Sequence, residues 1–372
     1  MKILIATLYQ AKFGMGGAER VALDLAYAMR GLFQDEVKVC INPGDAAEEL
    51  RKNGVEVIEI PFEKRRTLET FSTLNQVMRS FRPDIMHSHH RYVTFLADIF
   101  LKRQCVVLHT EEVLSRDKRL FFRYGDMAAA CHESVRQNLI RLYRVPAERV
   151  VTILNSVSFQ SAAPGQLAEI RGKYPSKPGQ VTGLCIARME EQKGHRYLID
   201  AAAMLPESYR KRLRIFLAGE GALMQTVRDR VKRLGLGDVF TFLGYCRQTS
   251  AFLEFCDFTV LSSIWEGSPL TILLSFAAGK PVLATDIDGI RGQVVPGRTG
   301  LLVPPGDFRQ MANALMEMMD SVDNRLAMGR EAAKAWAAYP SVDETARSYR
   351  RLYQQLTAAE TPRASLRGIE NK

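Results

Sequence analysis

The chain has 372 residues, of which 47% are hydrophobic and 25% are charged, and this globular composition supplies enough core for two domains. The formal net charge of +10 favours anionic partners, but the chain has no arginine-rich tail and no nucleic-acid-binding motif, so nucleic acid is disfavoured. No apolar run reaches the roughly 20 residues that span a bilayer, and the six cysteines lack metal-type spacing. We therefore expect a cytoplasmic protein with free thiols, either soluble or peripheral on the inner face of the cell membrane.

Short β-branched apolar runs alternate with helical periodicity through the first half of the chain. Residues 67–81 predict a helix between two of these runs. Strands are predicted at residues 2–8, 37–41, 55–60, 84–89, 105–110, 127–131 and 150–155. Residues 1–8 are interpreted as a strand rather than a signal peptide, because they lack a cleavage-like site. The alternation predicts a mostly parallel sheet covered on both faces by helices, with ligands beyond the carboxyl ends of the strands.

A glycine-rich segment, G-M-G-G-A-E-R at residues 14–20, follows the first predicted strand and precedes a helix. This order is typical of a phosphate-binding turn. Glu19, however, stands where the dinucleotide fingerprint has its third glycine, and the segment lacks the lysine of a P-loop. A nicotinamide-binding site is therefore disfavoured.

Histidines end two of the predicted strands. His87, His89 and His90 follow one strand, and His109 ends the next in C-V-V-L-H-T. A histidine at a strand end either contacts a ligand or serves a structural role, and both interpretations stay open for His87 and His89. The H-x-H-H spacing has no organised carboxylate or cysteine partner, so it is weak evidence for zinc and we predict no metal.

Two basic segments, residues 63–66 and 114–124, are candidates for contact with an anionic membrane surface or an anionic acceptor. The alternative is a solvated helix face with buried aromatic rings. Periodicity then lapses between residues 158 and 181, which contain P-S-K-P-G-Q, and we predict an interdomain linker at 161–180.

The second half repeats the strand–helix rhythm. Strands are predicted at residues 183–188, 214–219, 239–244, 258–261, 281–285 and 300–303. The expected organisation is therefore an N-terminal Rossmann-like domain at 1–160, a second such domain at 181–340, and an amphipathic helix at 341–356 that crosses back to the first domain.

The most informative stretch is residues 261–285, in which a buried strand leads into a turn with Glu266 and Gly267. A helix is predicted next, with Ser268 as its N-cap, Pro269 at its first position and Gly279 just past its end. The free N–H groups at such a helix start bind anions, and the carboxylate beside them accepts hydrogen bonds.

This stretch resembles the signature E-G-x-P-L-x-x-x-E-A-x-A-x-G-x-P-V-x-A-T of the family-4 retaining glycosyltransferases. The matching residues are Glu266, Gly267, Pro269, Leu270, Ala277, Gly279, Pro281, Val282, Ala284 and Thr285. Further similar segments, in the same order along the chain, are G-G-A-E-R at 16–20, P-D-I-M-H-S-H at 83–89, A-R-M-E-E-Q-K-G at 187–194 and G-R-T-G-L-L-V-P-P-G-D at 297–307.

The resemblance implies a GT-B fold, an α/β architecture of two Rossmann-like, doubly wound domains that face a central cleft. It also implies transfer of a sugar from a nucleotide-sugar donor, UDP- or GDP-linked, to an acceptor hydroxyl, with retention of anomeric configuration. Neither a metal nor another cofactor is expected. The acceptor would be a glycan, lipid-linked or lipopolysaccharide molecule of bacterial envelope assembly.

The resemblance also implies roles for individual residues. Glu266 would bind hydroxyls of the donor sugar, and His109 would contact that sugar from the other domain. The remaining donor-binding residues are Arg188, Lys193 and the amides of Leu270 and Thr271 at the diphosphate, Gly16 and Gly17 in the first loop, Gly219 and Tyr245 near the base, and Gly267 in the turn.

Two positions depart from the family pattern. Leu274 replaces the second glutamate, which accepts hydrogen bonds from the ribose hydroxyls, and Ser275 beside it is expected to compensate in part. Gly292 replaces the acidic residue of a D-x-G-G-x-x-E motif. These departures keep two alternatives open: a non-catalytic homologue that acts as an interaction subunit, and a sugar-nucleotide epimerase.

Overall fold

The computed structural model describes residues 1–9, 15–101, 104–114 and 122–358. Two compact units divide the described chain, the first running to Asn155 and resuming at Pro340, and the second comprising Ser156–Tyr339. Gly14 and residues 115–121 of the predicted basic segment 114–124 lie outside the described residues.

A seven-stranded sheet forms the centre of the first unit. Its strands are β1 (Lys2–Ala6), β2 (Glu36–Ile41), β3 (Glu56–Glu59), β4 (Ile85–Ser88), β5 (Val106–Glu111), β6 (Met127–Ala130) and β7 (Val150–Thr152). The strand order is β3-β2-β1-β4-β5-β6-β7, and all neighbours pair in parallel. The predicted strands of this half are confirmed, with ends shifted by a few residues, because each is a short buried apolar run.

The helices of the first unit cover this sheet. They include α1 (Gly17–Phe33), α2 (Asp45–Lys52), α3 (Thr67–Phe81), α4 (Arg91–Leu96) and α5 (Glu133–Arg141). The predicted helix at 67–81 is confirmed as α3, which buries Leu74, Val77, Met78 and Phe81 along one side. Helix α1 follows the glycine-rich segment, and Gly16 is its N-cap residue.

The second unit contains a six-stranded parallel sheet in the order β10-β9-β8-β11-β12-β13. Its strands are β8 (Val181–Ile186), β9 (Leu213–Ala218), β10 (Phe240–Gly244), β11 (Phe258–Leu261), β12 (Val282–Thr285) and β13 (Gly300–Val303). The predicted strands of this half are also confirmed. Both sheets therefore have the doubly wound arrangement, and in each the strand order reverses beside the first strand.

The helices of the second unit include one in the segment where we expected a linker. They are α6 (Pro164–Lys173), α7 (His195–Met204), α8 (Glu207–Arg210), α9 (Met224–Arg233), α10 (Thr249–Phe255), α11 (Leu270–Ala277), α12 (Asp288–Arg291), α13 (Phe308–Asp320) and α14 (Val322–Ala337). Helix α6 lies within the expected linker 161–180, and the division between the units precedes it. Its helical periodicity is weak because Ile170 is its one buried residue.

Helix α11 ends as predicted but begins differently. Gly279 follows the helix with φ of +65°, a backbone conformation that favours glycine at this position. The helix starts at Leu270 with Pro269 as N-cap, so the predictions of Ser268 as N-cap and of Pro269 at the first helical position are both wrong by one residue. The Ser268 hydroxyl instead accepts a hydrogen bond from Gln293 Nε2 at 3.2 Å, because the side chain turns inward to a buried amide.

The last described helix, α15 (Val342–Ala358), belongs to the first unit. It packs Tyr349 and Tyr353 into the core that also contains α1. The Tyr353 hydroxyl lies 2.6 Å from His87 Nδ1, and Thr110 Oγ1 lies 2.6 Å from His87 Nε2 and 3.0 Å from the Tyr349 hydroxyl. Burial, together with the neighbouring His89 and His109, holds the pKa of His87 well below its ordinary value of 6.5.

No helix within the described ranges has both the length and the apolarity required to cross a membrane.

The His87 network makes the first unit sensitive to acid. Below about pH 6.5, the unfolded chain takes up a proton that folded His87 excludes, so the free energy of unfolding falls as the pH falls, with a limiting slope of about 1.4 kcal/mol per pH unit. We expect His87→Gln to be less stable at pH 7.5 by about 1–3 kcal/mol, because hydrogen bonds are lost. The decline between pH 7 and pH 5 should be shallower than in the wild type.

Urea unfolding followed by far-UV circular dichroism measures both quantities. An equal pH slope in the two proteins would show that His87 does not carry the proton uptake.

Candidate active site

The candidate site of the second unit lies where its strand order reverses, between β8 and β11. The loop after β8 contains Arg188 and a short 3₁₀ helix at Glu191–Lys193, and the loop after β11 contains Glu266. Because the two strands pair in parallel, both loops leave the sheet at the same edge. Predicted donor-binding residues from two distant parts of the chain therefore lie close together.

A buried carboxylate is the centre of this site. Glu266 is only 5% exposed, and its Oε1 lies 2.6 Å from Lys193 Nζ and accepts a 2.7 Å hydrogen bond from Ser263 Oγ. Gln192 Nε2 donates to Oε2 at 3.3 Å. Three side-chain donors therefore compensate for the loss of water around the carboxylate.

Backbone contacts fix the loop that carries Lys193. Gly194 has φ of +60°, and a Cβ atom there would lie 2.1 Å from the carbonyl oxygen of Ser262. Ser262 Oγ in turn donates to the carbonyl oxygen of Lys193 at 2.9 Å, and Gln192 Nε2 donates to that of Trp265 at 2.9 Å. The two loops are thus in direct backbone contact, which positions the ammonium group against the carboxylate.

The start of α11 faces the end of β8. Thr271 Oγ1 donates to the carbonyl oxygen of Ile186 at 3.2 Å, two residues before Arg188. The amides of Leu270 and Thr271 lie in the first turn, where a helix has no carbonyl acceptor of its own for its N–H groups. Arg188 is about one-third exposed, and its Nε lies 3.8 Å from Glu190 Oε1. Cations and free amides therefore occupy the same edge of the sheet.

Leu274, which replaces the second glutamate of the family pattern, and its neighbour Ser275 lie in different surroundings. Ser275 is fully buried, its Oγ lies 2.6 Å from Thr259 Oγ1, and it donates to the carbonyl oxygen of Thr271 at 2.8 Å. Its hydroxyl is therefore engaged inside the core, which is not the orientation expected for compensation at the ribose. Leu274, one residue earlier, is half-buried and packs against the apolar cluster that contains Phe216 and Phe252.

The residues expected near the base lie at the ends of two neighbouring strands. Gly219 follows β9, and its N–H donates to the carbonyl oxygen of Gly244 at the end of β10 at 2.8 Å. Tyr245 comes next and is 43% exposed. Its backbone N–H donates to Glu220 Oε1 at 3.3 Å, which places an exposed aromatic ring beside this edge.

Gly16, Gly17 and His109 lie in the first unit. Gly16 caps α1 and Gly17 is its first residue. His109 is 1% exposed, with Nδ1 2.8 Å from Thr94 Oγ1 and Nε2 3.4 Å from Glu111 Oε2. Both ring nitrogens therefore have protein partners.

Glu111 links His109 to a partly buried cation, Arg91. Its Oε2 accepts a 2.6 Å hydrogen bond from Arg91 Nε. Burial raises the pKa of Glu111, but the hydrogen bond with His109 and the charge of Arg91 outweigh it, so the pKa is lowered overall. Arg91 also lies over the rings of Phe122 and Tyr143, which holds the guanidinium in place.

A second polar cluster lies on the opposite face of the same sheet edge. His89 Nδ1 is 3.4 Å from Glu112 Oε1, and Asn155 Nδ2 donates to Glu112 Oε2 at 2.7 Å.

The sequence analysis missed Glu111, Glu112 and Asn155, although each ends or closely follows a strand. It also missed Gln192 and Ser263, for which adjacency to Lys193 and Glu266 was the available signal. In the described part of the chain, no group of three or more His, Cys, Asp or Glu side chains is placed to hold a metal ion.

The geometry defines a doubly wound α/β protein with a cationic, amide-lined ligand edge, and comparisons with known proteins give its family. The model of glycosyltransferase family 4 matches residues 15–160, and that of glycosyl transferases group 1 matches residues 167–335. The chain therefore belongs to the group 1/family 4 glycosyltransferases, which have the GT-B fold.

Individual relatives are more distant. The chain is 29% identical over 181 residues to EpsD of Bacillus subtilis (strain 168), which covers 49% of this chain and 47% of that protein. It is 27% identical over 229 residues to alpha-D-kanosaminyltransferase of Streptomyces kanamyceticus, covering 60% of this chain and 59% of the relative. The chain thus spans about half to three-fifths of the length of these curated relatives.

A solved structure supports the fold over nearly the whole chain. The crystal structure of HepE from Anabaena in complex with UDP and glucose has a TM-score of 0.82 at 20% sequence identity. The similarity covers 95% of this chain and 99% of that chain.

Gly194 allows a direct test of the loop contact. We expect Gly194→Ala to destabilise the second unit by several kcal/mol, because the new Cβ adds a steric clash with a backbone carbonyl to the strain of a positive φ. Gly179→Ala is the matched control, since Gly179 has φ of +70° but no heavy atom within 4 Å of a built Cβ. That variant should lose only about 1 kcal/mol.

Trp265 and Trp336 both lie in the second unit. Urea unfolding followed by tryptophan fluorescence therefore reports on this unit, and equal losses in the two variants would contradict the backbone contact.

Proposed function

We propose that the chain is a retaining, metal-independent glycosyltransferase that moves a sugar from a nucleotide-sugar donor to an acceptor hydroxyl. The observation that carries the proposal is the Lys193–Glu266 pair, 2.6 Å apart at the ligand edge of the second sheet and beside the start of α11. A cation, a carboxylate and free helix amides together suit a ligand that combines a diphosphate with sugar hydroxyls.

Transfer requires stabilisation of the leaving nucleoside diphosphate, which gains negative charge as the glycosidic bond breaks. Lys193 has three N–H donors, and its contact with Glu266 leaves two for phosphate oxygens. Arg188 and the first-turn amides of α11 supply further positive charge at the same edge. Fixed charges and dipoles of this kind stabilise a transition state without a metal.

Glu266 would accept hydrogen bonds from donor-sugar hydroxyls, and Lys193, Ser263 and Gln192 hold its carboxylate in one position. Exposed Tyr245 would contact the base. We propose UDP rather than GDP as the donor nucleotide, because the related HepE structures contain UDP, UDP-glucose, or UDP with glucose. His109, Gly16 and Gly17 are the proposed contacts from the first unit.

The acceptor proposed is a glycan, a lipid-linked sugar or lipopolysaccharide, which places the protein in the cytoplasm at the inner face of the membrane. The first unit has one feature that supports contact with an anionic membrane. Leu68, at the start of α3, is 85% exposed and follows the exposed basic residues Arg65 and Arg66, of which Arg66 pairs with Glu69. An exposed apolar side chain beside cations suits a lipid surface.

The second candidate is a non-catalytic homologue. Leu274 cannot accept a hydrogen bond from ribose, and the buried hydroxyl of Ser275 has two other partners. The loss of a charged acceptor costs about 1.5–3 kcal/mol, and nucleotide binding decides between the two candidates.

Thermal-shift measurements with UDP, GDP and ADP test the proposal. We expect UDP to raise the melting temperature, because a ligand that binds the folded state stabilises it. Lys193→Ala should weaken UDP binding by roughly 10- to 150-fold and abolish transfer, because a charged hydrogen-bond donor is lost. Lys211→Ala is the control, since Lys211 is exposed and pairs with Glu207 on α8.

No stabilisation by any of the three nucleotides would favour the non-catalytic homologue. Wild-type UDP affinity in Lys193→Ala would remove Lys193 from the diphosphate site.

Leu274→Glu tests the ribose position. If a missing acceptor limits donor affinity, the variant should bind UDP roughly ten-fold more tightly, as expected for a regained charged hydrogen bond. Leu274→Gln is the control of similar shape without charge and should gain less. Calorimetric titration measures the affinities, and tryptophan fluorescence checks the fold. Weaker UDP binding by a folded Leu274→Glu protein would show that ribose does not approach residue 274.

A further inference from the structure

Helix α15 carries a row of arginines outside the proposed donor site. Arg347, Arg350 and Arg351 are spaced i, i+3 and i+4, so they project from the same side of the helix, and Gln354 extends the row by one turn. Other residues of the helix, including Tyr349, Leu352 and Tyr353, are buried in the first unit. The helix is therefore amphipathic, with a strongly cationic outer side.

This cationic side borders a cavity of about 320 Å³ that is widely open to solvent. Its lining consists of Arg347, Arg350, Arg351, Gln354 and Phe33, the last residue of α1. The volume lies at the lower end of the range for small-molecule sites, about 300–1,000 Å³. The cavity thus has the size for a small anion, or for the head group of a larger one.

One of the three guanidinium groups is held in place by a carboxylate. Arg350 Nε lies 2.8 Å from Asp35 Oδ2, and its NH2 group donates to Asp35 Oδ1 at 3.0 Å. The Asp35 side chain is only 1% exposed, so the contact is buried. Arg350 also lies near the Phe33 ring, with 5.8 Å from Cζ to the ring centroid. This arginine is pre-organised before any ligand arrives.

The other two guanidinium groups are exposed and have no carboxylate in direct contact, although the charge of Arg347 interacts through space with the carboxylate of Glu344. Arg351 donates to Ser348 Oγ at 3.2 Å, and no carboxylate of the described chain lies within ion-pair distance of Arg347 or Arg351. Glu344, one turn before Arg347, directs its carboxylate to the N–H and hydroxyl of Ser341, both at 2.8 Å. Like charges four residues apart destabilise a helix. A ligand with several negatively charged oxygens would remove this repulsion.

We propose that this cavity is a binding site for a phosphate-bearing anion, either a soluble phosphorylated compound or a phospholipid head group. A phosphomonoester is favoured over a carboxylate because it presents three acceptor oxygens and up to two negative charges to the guanidinium groups, whereas a lipid phosphodiester presents two oxygens, which the planar fork of arginine also matches in pairs. Gln354 supplies a neutral amide for an ester or hydroxyl oxygen. The proposal does not depend on the proposed transferase activity.

Chemical modification tests the site directly. Phenylglyoxal modifies accessible arginines, and peptide mass spectrometry reports each one separately. We expect pyrophosphate, added without nucleotide, to slow the modification of Arg347 and Arg351 several-fold, and detection residue by residue separates this protection from any binding at the donor site. Exposed Arg233, at the end of α9, should be unaffected. Unchanged modification of Arg347 and Arg351 would overturn binding of a soluble anion.

Co-sedimentation with vesicles tests whether the phosphate belongs to a phospholipid head group. We expect a head-group site to bind phosphatidylglycerol vesicles in preference to phosphatidylcholine vesicles, and Arg347→Gln/Arg351→Gln should lose at least ten-fold in this affinity. Leu68→Ser tests whether the exposed Leu68 on α3, rather than the arginine-lined cavity, accounts for vesicle binding. We expect vesicle binding by this variant still to depend on Arg347 and Arg351. If pyrophosphate gives no protection and the double variant binds vesicles like the wild type, the proposal fails.

The donor-site test is independent of this result. The double variant should keep the UDP-induced rise in melting temperature, because its altered residues lie in the first unit and the UDP contacts assigned to Lys193 and Glu266 lie in the second. Failure of the anion site therefore leaves the proposed function intact, and the reverse also holds.

Discussion

The buried carboxylate of Glu266 imposes the strongest constraint on the second unit. A charged group removed from water is costly unless donors surround it, and Glu266 has Lys193, Gln192 and Ser263 as donors. Two of these donors come from the loop after β8, so that loop and the loop after β11 must lie side by side. The parallel pairing of β8 with β11 meets this requirement. Sheet topology and site electrostatics thus depend on each other.

Both sheets reverse their strand order beside their first strand, and both concentrate buried polar residues beyond the carboxyl ends of the strands. In the second unit they include Glu266, which pairs with the partly buried Lys193. In the first unit they are histidines and carboxylates that follow β4 and β5. The backbone explains this distribution, because strand interiors satisfy their own polar groups through the sheet ladder whereas the ends leave room for side chains and ligands. Positive charge at such an edge in the second unit then favours an anionic ligand.

Much of the fold was predictable from the sequence, because short β-branched apolar runs specify strands and a glycine after an apolar helical run specifies the end of a helix. The strands of both units, helix α3 and Gly279 at the end of α11 follow from local patterns. Helix α6 does not, because a helix that buries only Ile170 has almost no apolar periodicity. The inward turn of Ser268 depends on Gln293, a residue 25 positions away that no local pattern indicates. The burial of Ser275 likewise depends on how α11 is rotated against β11.

Strand register, which no sequence motif indicates, decides which face of the first sheet each histidine occupies. His87 and His109 both end buried strands, yet Ser88 pairs with His109 and His87 pairs with Leu108. Because side chains alternate between the faces of a sheet, the two histidines point to opposite sides. His87 therefore meets the tyrosines of α15, whereas His109 meets Thr94, the last residue but two of α4, and Glu111. Glu111 and Glu112 also lie on opposite faces of the sheet, because Glu111 contacts His109 and Glu112 contacts His89. The proposed contact of His109 with a donor sugar would therefore occur on the face of the sheet that also holds Arg91. The opposite face, where His87 contacts the tyrosines of α15, has a structural role.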